Sequence, residues 1–487
     1  MSEASCISGS AGCLPGRAGL ARRAPALKAP RAPTALGAAL VAGALVLSAA
    51  QARAESMSSA LSRAYVGNPD LNQQRAGVRA QDENIPRATS GWRPQASAGA
   101  QIGASYLDFR QSNGRLHGVT APSNIGISVQ QNVWDGNRTL NSVRQAESGV
   151  FGAREDLRNT EQNVLQNGAT AYMNVLRDTA VLELRRNNIT VLEEQLRQTR
   201  DRFNVGEVTR TDVAQAEASL ANSRSDYFTA QALLQNSIAS FRQVIGVEPV
   251  RLEPARTIEA LLPKSQTAAV ELALGEHPAI QGALHNVDAA EAQVKVIEAQ
   301  LSPSLAVVAS SQRYTDYQGS RNATLVNHQI VGQLTVPIYT GGSVDAQARQ
   351  AKEQLTQARL VADLQRDAVR AAVVSSWGQL DTSKAVIQSA KAAVRAAEIA
   401  LEGVREEAKV GQRTTFDVLY QQQVLLNTRV SLVTAQRDRV VASYAVMAAI
   451  GKLSATNLNL NVAEYDPTIH FQQVKDKWIG LRTPDGQ

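Results

Sequence analysis

"VGQRTTFDVL" occupies residues 410–419, and "VGEVTRTDVA" occupies residues 205–214. Each stretch has a glycine, Gly206 or Gly411, of the kind that ends a helix in the left-handed conformation. Each then has a Thr-x-x-Asp, Thr209/Asp212 or Thr414/Asp417, the spacing of a capping box that opens the next helix. Both lie deep inside runs of helix-forming sequence. Two such helix-to-helix turns, 205 residues apart, point to a chain that is written twice.

The repetition extends in both directions. "NPDL" at 68–71 answers "HPAI" at 277–280, and Pro94 answers Pro303, at an offset of 209; "VWDGNR" at 133–138 answers "IYTGGS" at 338–343 at an offset of 205. The four-residue difference falls between Pro94 and Trp134, which places a loop there. Seventy residues separate Gly136 from Gly206, and 70 separate Gly341 from Gly411; both runs lack proline and are rich in strong helix formers. A helix of that length is ~105 Å long, several times a compact domain. Val386, Ala390, Ala393, Ala397, Leu401 and Val404 recur at three- and four-residue spacing, the stripe of a coiled-coil-like seam.

The expected organisation follows. Residues 55–246 form a first repeat: a helix at 57–90, a β-hairpin at 94–134, a long helix at 137–205 and a return helix at 209–245. Residues 270–451 form the second: a helix at 270–300, a hairpin at 303–340, a long helix at 342–410 and a return helix at 414–450. A proline-rich linker, 247–269, makes an irregular equatorial belt with its counterpart, the C-terminal tail 452–487. The hairpins alternate apolar and polar residues. Ala96, Ala98, Ala100 and Ile102 share one parity, as do Ile125, Ile127 and Val129, and Ile330, Leu334 and Val336. Loops are expected at 110–123 and 316–327. Strands of this length suit a tilted membrane crossing, and a soluble sandwich would alternate in the same way. Four strands cannot close a barrel, so any membrane barrel must be shared among several chains.

Residues 1–54 read as a signal peptide. Five basic residues from Arg17 to Arg31 precede an uncharged apolar stretch, 35–50, and an Ala-Arg-Ala cleavage site at 52–54. The leader carries six of the 50 basic residues and one of the 44 acidic ones, leaving 44 against 43. The formal charge of +6 therefore belongs to targeting, and nothing basic remains to argue for nucleic acid. Cys6 and Cys13 leave with the leader, so the mature chain has no disulfide.

With these motifs quoted, the sequence resembles the TolC family of outer-membrane efflux and secretion channels over essentially all of the chain beyond the leader. The resemblance implies a mainly α protein with a transmembrane β-barrel: an internally duplicated barrel of long helices, with four strands per protomer closed as a trimeric twelve-stranded barrel. It implies a homotrimer in the cell outer membrane, in contact with its lipid and extending into the periplasm. There it would dock to a periplasmic adaptor protein and an inner-membrane transporter of the ABC or RND type, exporting small molecules or proteins. No cofactor and no catalysis are implied.

In that architecture the opening stretches are the periplasmic tips, where the conduit closes. The positions matching the closing network are Thr211 and Asp212 from the first turn, with Arg413 and Asp417 from the second. The family pattern has a tyrosine before the second turn and a further aspartate after it; here Ala408 and Tyr420 stand there, which implies a smaller network. The five histidines, 117, 277, 285, 328 and 470, lack metal spacing and read as surface or interface residues. No nucleophile elbow, P-loop or dinucleotide fingerprint occurs beyond the leader. A periplasmic coiled-coil adaptor or structural protein is the alternative to a channel.

Overall fold

The computed structural model describes residues 55–111, 114–316, 322–484 and 486; the expected signal peptide lies outside the described residues. The first copy opens with α1 (Met57–Gly67), α2 (Pro69–Asp82) and α3 (Asn84–Thr89). It passes through β1 (Gln95–Ile102), β2 (Ser105–Gln111), β3 (Gly114–Thr120) and β4 (Ser123–Trp134) into α4 (Arg138–Asn204) and α5 (Arg210–Ile245). The second copy runs α6 (Gln266–Glu276), α7 (Pro278–Glu298), β5 (Ser304–Thr315), β6 (Thr324–Thr335), α8 (Ser343–Lys409) and α9 (Thr415–Ala449). The tail adds α10 (Pro467–Val474).

The long helices α4 and α8 have 67 residues each, about 100 Å. Their return helices, α5 with 36 residues and α9 with 35, are about half as long. α5 packs along α4 and α9 along α8, and α7 lies against both long helices. The duplication is visible in single side chains. Arg224 meets Glu193 at 2.7 Å between α5 and α4, and its equivalent Arg429 meets Glu398 at 2.8 Å between α9 and α8. Arg200–Glu217 recurs as Arg405–Gln422, at 2.5 and 3.1 Å. Exposed pairs of this kind contribute at most about 1 kcal/mol each, so the packing rests on the apolar seams.

In α8 the buried seam is Ser383, Ile387, Ala390, Ala397 and Leu401, with Val394 half-buried. The expected stripe was partly misplaced, since Val386 is 46% exposed and Ala393 is also exposed. The seam follows strict alternation of four- and three-residue steps, and residues 386 and 393 sit one position off it, about 100° around the helix.

The stretches expected as single helices, 57–90 and 270–300, are each broken at a proline. Pro69 and Pro278 open new helices at N1, where their missing N–H costs nothing. The preceding residue caps the helix and also clips it to a neighbour. Asn68 Oδ1 accepts from the N–H groups of Asp70 and Leu71, and Nδ2 donates to the Val244 carbonyl at 2.9 Å. His277 caps with an imidazole in the same way, Nδ1 accepting from the Ala279 N–H at 3.1 Å, and the Ala448 carbonyl lies beside its ring. The second break moves the helix start to Gln266, four residues inside the expected linker.

His277 is thus buried rather than a surface residue, and burial pushes its pKa down, with the Ala448 carbonyl bond working against that. As pH falls below about 6.5 the unfolded chain takes up this proton before the folded one does. The contribution of His277 to stability is therefore complete above that pH and is lost as acidification approaches the lowered folded pKa. We expect the fall in melting temperature between pH 7.5 and 5.5 to shrink in His277→Asn, which transplants the Asn68 solution. An equal fall in both proteins would refute this account.

The largest core lies at the belt, where α1, α4, α5 and α9 meet the linker and tail around Tyr172 and Phe241, both fully buried. The Tyr172 hydroxyl lies 2.7 Å from the carbonyls of both Glu55 and Glu253, tying the segment before α1 and the linker to α4. A second core joins α6 to α9 through Ile280, Val373, Leu380, Val446 and Ile450.

The four-stranded sheet has the order β1-β4-β5-β6, antiparallel throughout. The segment 110–123 is not the expected loop: β2 and β3 pair from Ser105↔Thr120 to Gln111↔Gly114 as a separate ribbon. Register aligns Ala98 with Ile127, Val129 with Ala309, and Ala309 with Ile330 on one face. The other carries Ser97 beside Ser128, Gln101 beside Asn124, and Ser310 beside Gln329. The apolar face is bare in this single chain, with Ile127 60% and Ile330 79% exposed. Both edges, β1 and β6, have no strand partner among the described residues.

Candidate functional site at the paired helix turns

The α4–α5 and α8–α9 connections have one construction. Helix α4 ends through Gly206, φ 81°, and α8 through Gly411, φ 80°, a region in which any side chain is strained. Glu207 N–H donates to the Arg202 carbonyl and Gln412 N–H to the Glu407 carbonyl, both at 2.9 Å, the six-to-one bond of a Schellman ending. Thr209 and Thr414 then cap the return helices. Asp212 Oδ2 accepts from the Thr209 N–H at 2.9 Å and hydroxyl at 2.7 Å; Asp417 Oδ2 accepts from the same groups of Thr414 at 2.9 and 2.8 Å.

These bonds hold both carboxyls below the usual range. For Asp212 the Thr209 hydroxyl is the larger cause; for Asp417 it is the Thr414 backbone N–H. Both residues are ionised caps at neutral pH.

Within one chain the structure does not bring Arg413 to Asp212. Arg413 Nε instead donates to Glu407 Oε2 at 2.7 Å, across its own turn, and this contact raises the guanidinium pKa further. In the first turn Arg202 donates to Glu207 Oε2 at 2.9 Å. Position 202 is the repeat equivalent of 407, so the two straps carry opposite polarity: base before the glycine in one, acid before it in the other. Sequence reasoning missed Arg202, Glu207 and Glu407. Their signal was the charge reversal at one pair of repeat positions, which a search for identity passes over.

Thr211 is exposed on the first turn of α5. Tyr420 is 61% exposed and stacks on Phe416, ring centroids 6.4 Å apart. Val205 and Val410, beside the glycines, are 73% and 71% exposed. Each turn is therefore an apolar tip set between fixed charges.

Comparison with known proteins places these features in context. A family model described as outer membrane efflux protein matches residues 60–247 and 269–452, the two copies in turn. The outer membrane efflux protein BepC of Brucella suis is 41% identical over 455 residues, covering 93% of this chain and 97% of that protein. The outer membrane protein TolC of Escherichia coli is 28% identical, covering 83% of this chain and 84% of that protein. Among solved structures, the Campylobacter jejuni CmeC outer membrane channel superposes with a TM-score of 0.72 at 17% identity, covering 86% of this chain and 89% of its own. VceC of Vibrio cholerae gives 0.70 at 20% identity, covering 81% and 96%. These relatives lend no support to the periplasmic adaptor alternative.

Proposed function

Because the chain belongs to the outer membrane efflux protein family and lies in the outer membrane as an export channel, we propose that three copies share one twelve-stranded barrel. The supporting observation is the four-stranded sheet with both edges open. In a bilayer every backbone N–H and C=O needs a partner, so β6 of one copy must pair with β1 of the next until the ring closes. The apolar face then meets lipid, and the Ser/Gln/Asn face lines the pore. Below it, α4, α5, α8 and α9 of each copy stand side by side as the wall of a periplasmic tunnel, carrying small molecules or proteins from an inner-membrane transporter held by a periplasmic adaptor.

The gate belongs to the same proposal. Thr211, Asp212, Arg413, Asp417 and Tyr420 sit at the tips, with Gly206, Thr209, Gly411 and Thr414 shaping the turns. The straps Arg202–Glu207 and Glu407–Arg413 hold the charges in fixed positions for neighbouring tips. In planar bilayers, Asp212→Ala with Arg413→Ala is expected to raise single-channel conductance while the heat-modifiable oligomer persists. Thr209→Ala weakens the cap and keeps the charge, so a rise confined to the double variant assigns the effect to charge. Unchanged conductance in the double variant would remove these residues from the gate.

A further inference from the structure

The last described segment, after α10, leaves its large apolar side chains uncovered. Trp478, Ile479 and Leu481 are 66%, 90% and 103% exposed, three large apolar side chains within four residues. Their position is nevertheless fixed. Arg93 Nη1 donates to the Lys477 carbonyl at 2.7 Å, and its guanidinium lies over the Trp478 ring, 4.8 Å from the centroid. Lys477 Nζ donates to the Arg482 carbonyl at 2.5 Å, curling the segment on itself.

Arg93 stands two residues before β1, at the end of the sheet that faces the helices. Trp92 and Trp134, about half exposed, mark that same end, and Gln131 Nε2 donates to the Trp92 carbonyl at 2.8 Å. The tail thus brings its apolar residues to the level where the sheet's bare apolar face begins. Aromatic residues concentrate at that level in membrane barrels. Residues 475–482 carry Lys475, Lys477 and Arg482 against a single acid, Asp476.

We infer that this segment is a lipid wedge: Trp478, Ile479 and Leu481 enter the periplasmic leaflet of the outer membrane, and Lys475 and Arg482 meet the phosphates of anionic phospholipid. The occupant follows from continuity with the lipid-facing sheet and from charge complementarity. The inference rests on the barrel proposed above, and its test separates the two.

With Cys6 and Cys13, the only cysteines in the sequence, replaced by serine, Ile479→Cys and, separately, Ile330→Cys can each carry a single spin label on the full-length protein in vesicles containing phosphatidylglycerol. For a label in lipid, collisions with oxygen exceed those with a water-soluble nickel chelate several-fold. That excess is expected at both positions, and at 479 it should decline in purely zwitterionic vesicles. A nickel-dominated label at 479 with a lipid-exposed label at 330 would place the tail in water and overturn the wedge alone. Low access to both probes at 479 would mean that a second copy covers the tail, which also overturns it. Water exposure at both positions would overturn the barrel itself.

Discussion

Alanine at Gly451 is expected to destabilise the protein far more than alanine at Gly246, although the two glycines are repeat equivalents with nearly the same backbone angle, φ 85° and 88°. Both substitutions force an L-residue into the left-handed region, a cost of about 1–2 kcal/mol. At Gly246 the new methyl meets nothing within 4 Å. At Gly451 it would lie 2.9 Å from both His277 Cα and Pro278 Cδ. Neither neighbour can give way: one is backbone of a residue held through its N–H to Ala273, its carbonyl to Ile280 and Gln281 and its ring to Ala279, and the other is a proline ring. Overpacking adds about 1–3 kcal/mol. Thermal melts of the two variants in one detergent are the check, and equal melting temperatures would overturn the argument.

Asp82→Ala is expected to release the C-terminal segment. Asp82 is fully buried on α2, with Oδ2 2.9 Å from His470 Nδ1 on α10 and Oδ1 4.0 Å from Arg154 Nη2 on α4. Burial raises its pKa, while His470 and Arg154 draw it back down. Arg154 lies over the rings of Phe151 and Phe471, so its charge has little access to water. Removing the carboxylate leaves that cation without its counter-charge, a loss on the order of 3–5 kcal/mol. The effect should be local: trypsin cleavage at Lys475 and Lys477 accelerates while the helical melt hardly moves. The apolar triple replacement D82L, R154M and H470L should restore most of the protection. Undiminished protection in Asp82→Ala would show that the tail is held elsewhere.

Neither half of that triad could be read in the sequence. Asp82 and His470 are 388 residues apart, and the linker that answers the tail in the first copy has no histidine from which to infer the contacts of His470. The long helices and their turns were legible because periodicity, proline-free length and the paired Gly/Thr-x-x-Asp signals agreed, and every one of these is local. The sheet was legible in outline; β5 was less clean because Ser311 and Arg313 continue the parity of Leu305, Val307 and Ala309. The β2–β3 ribbon was hidden by its Gly and Asn content, which also reads as loop. At the tips, the capping role of Thr209, Asp212, Thr414 and Asp417 followed from spacing, whereas the partner of Arg413 did not. Glu407 precedes the glycine, and only the Schellman fold-back brings it across the turn.

The equal 67-residue lengths of α4 and α8 bear on how such a chain can change during evolution. Inserting one residue into α4 alone would rotate every later side chain by about 100° and carry the Leu192–Leu196 surface off Leu220 and Leu419. Inserting seven would nearly preserve the phase but push one tip about 10 Å beyond the other. A tolerated change of length must therefore come as near-whole heptads, duplicated in the other copy and matched in α5 and α9. Natural variation in the reach of these helices should be quantised: coordinated insertions or deletions at four places, with scattered single-residue gaps confined to the linker, the tail and the strand-joining segments.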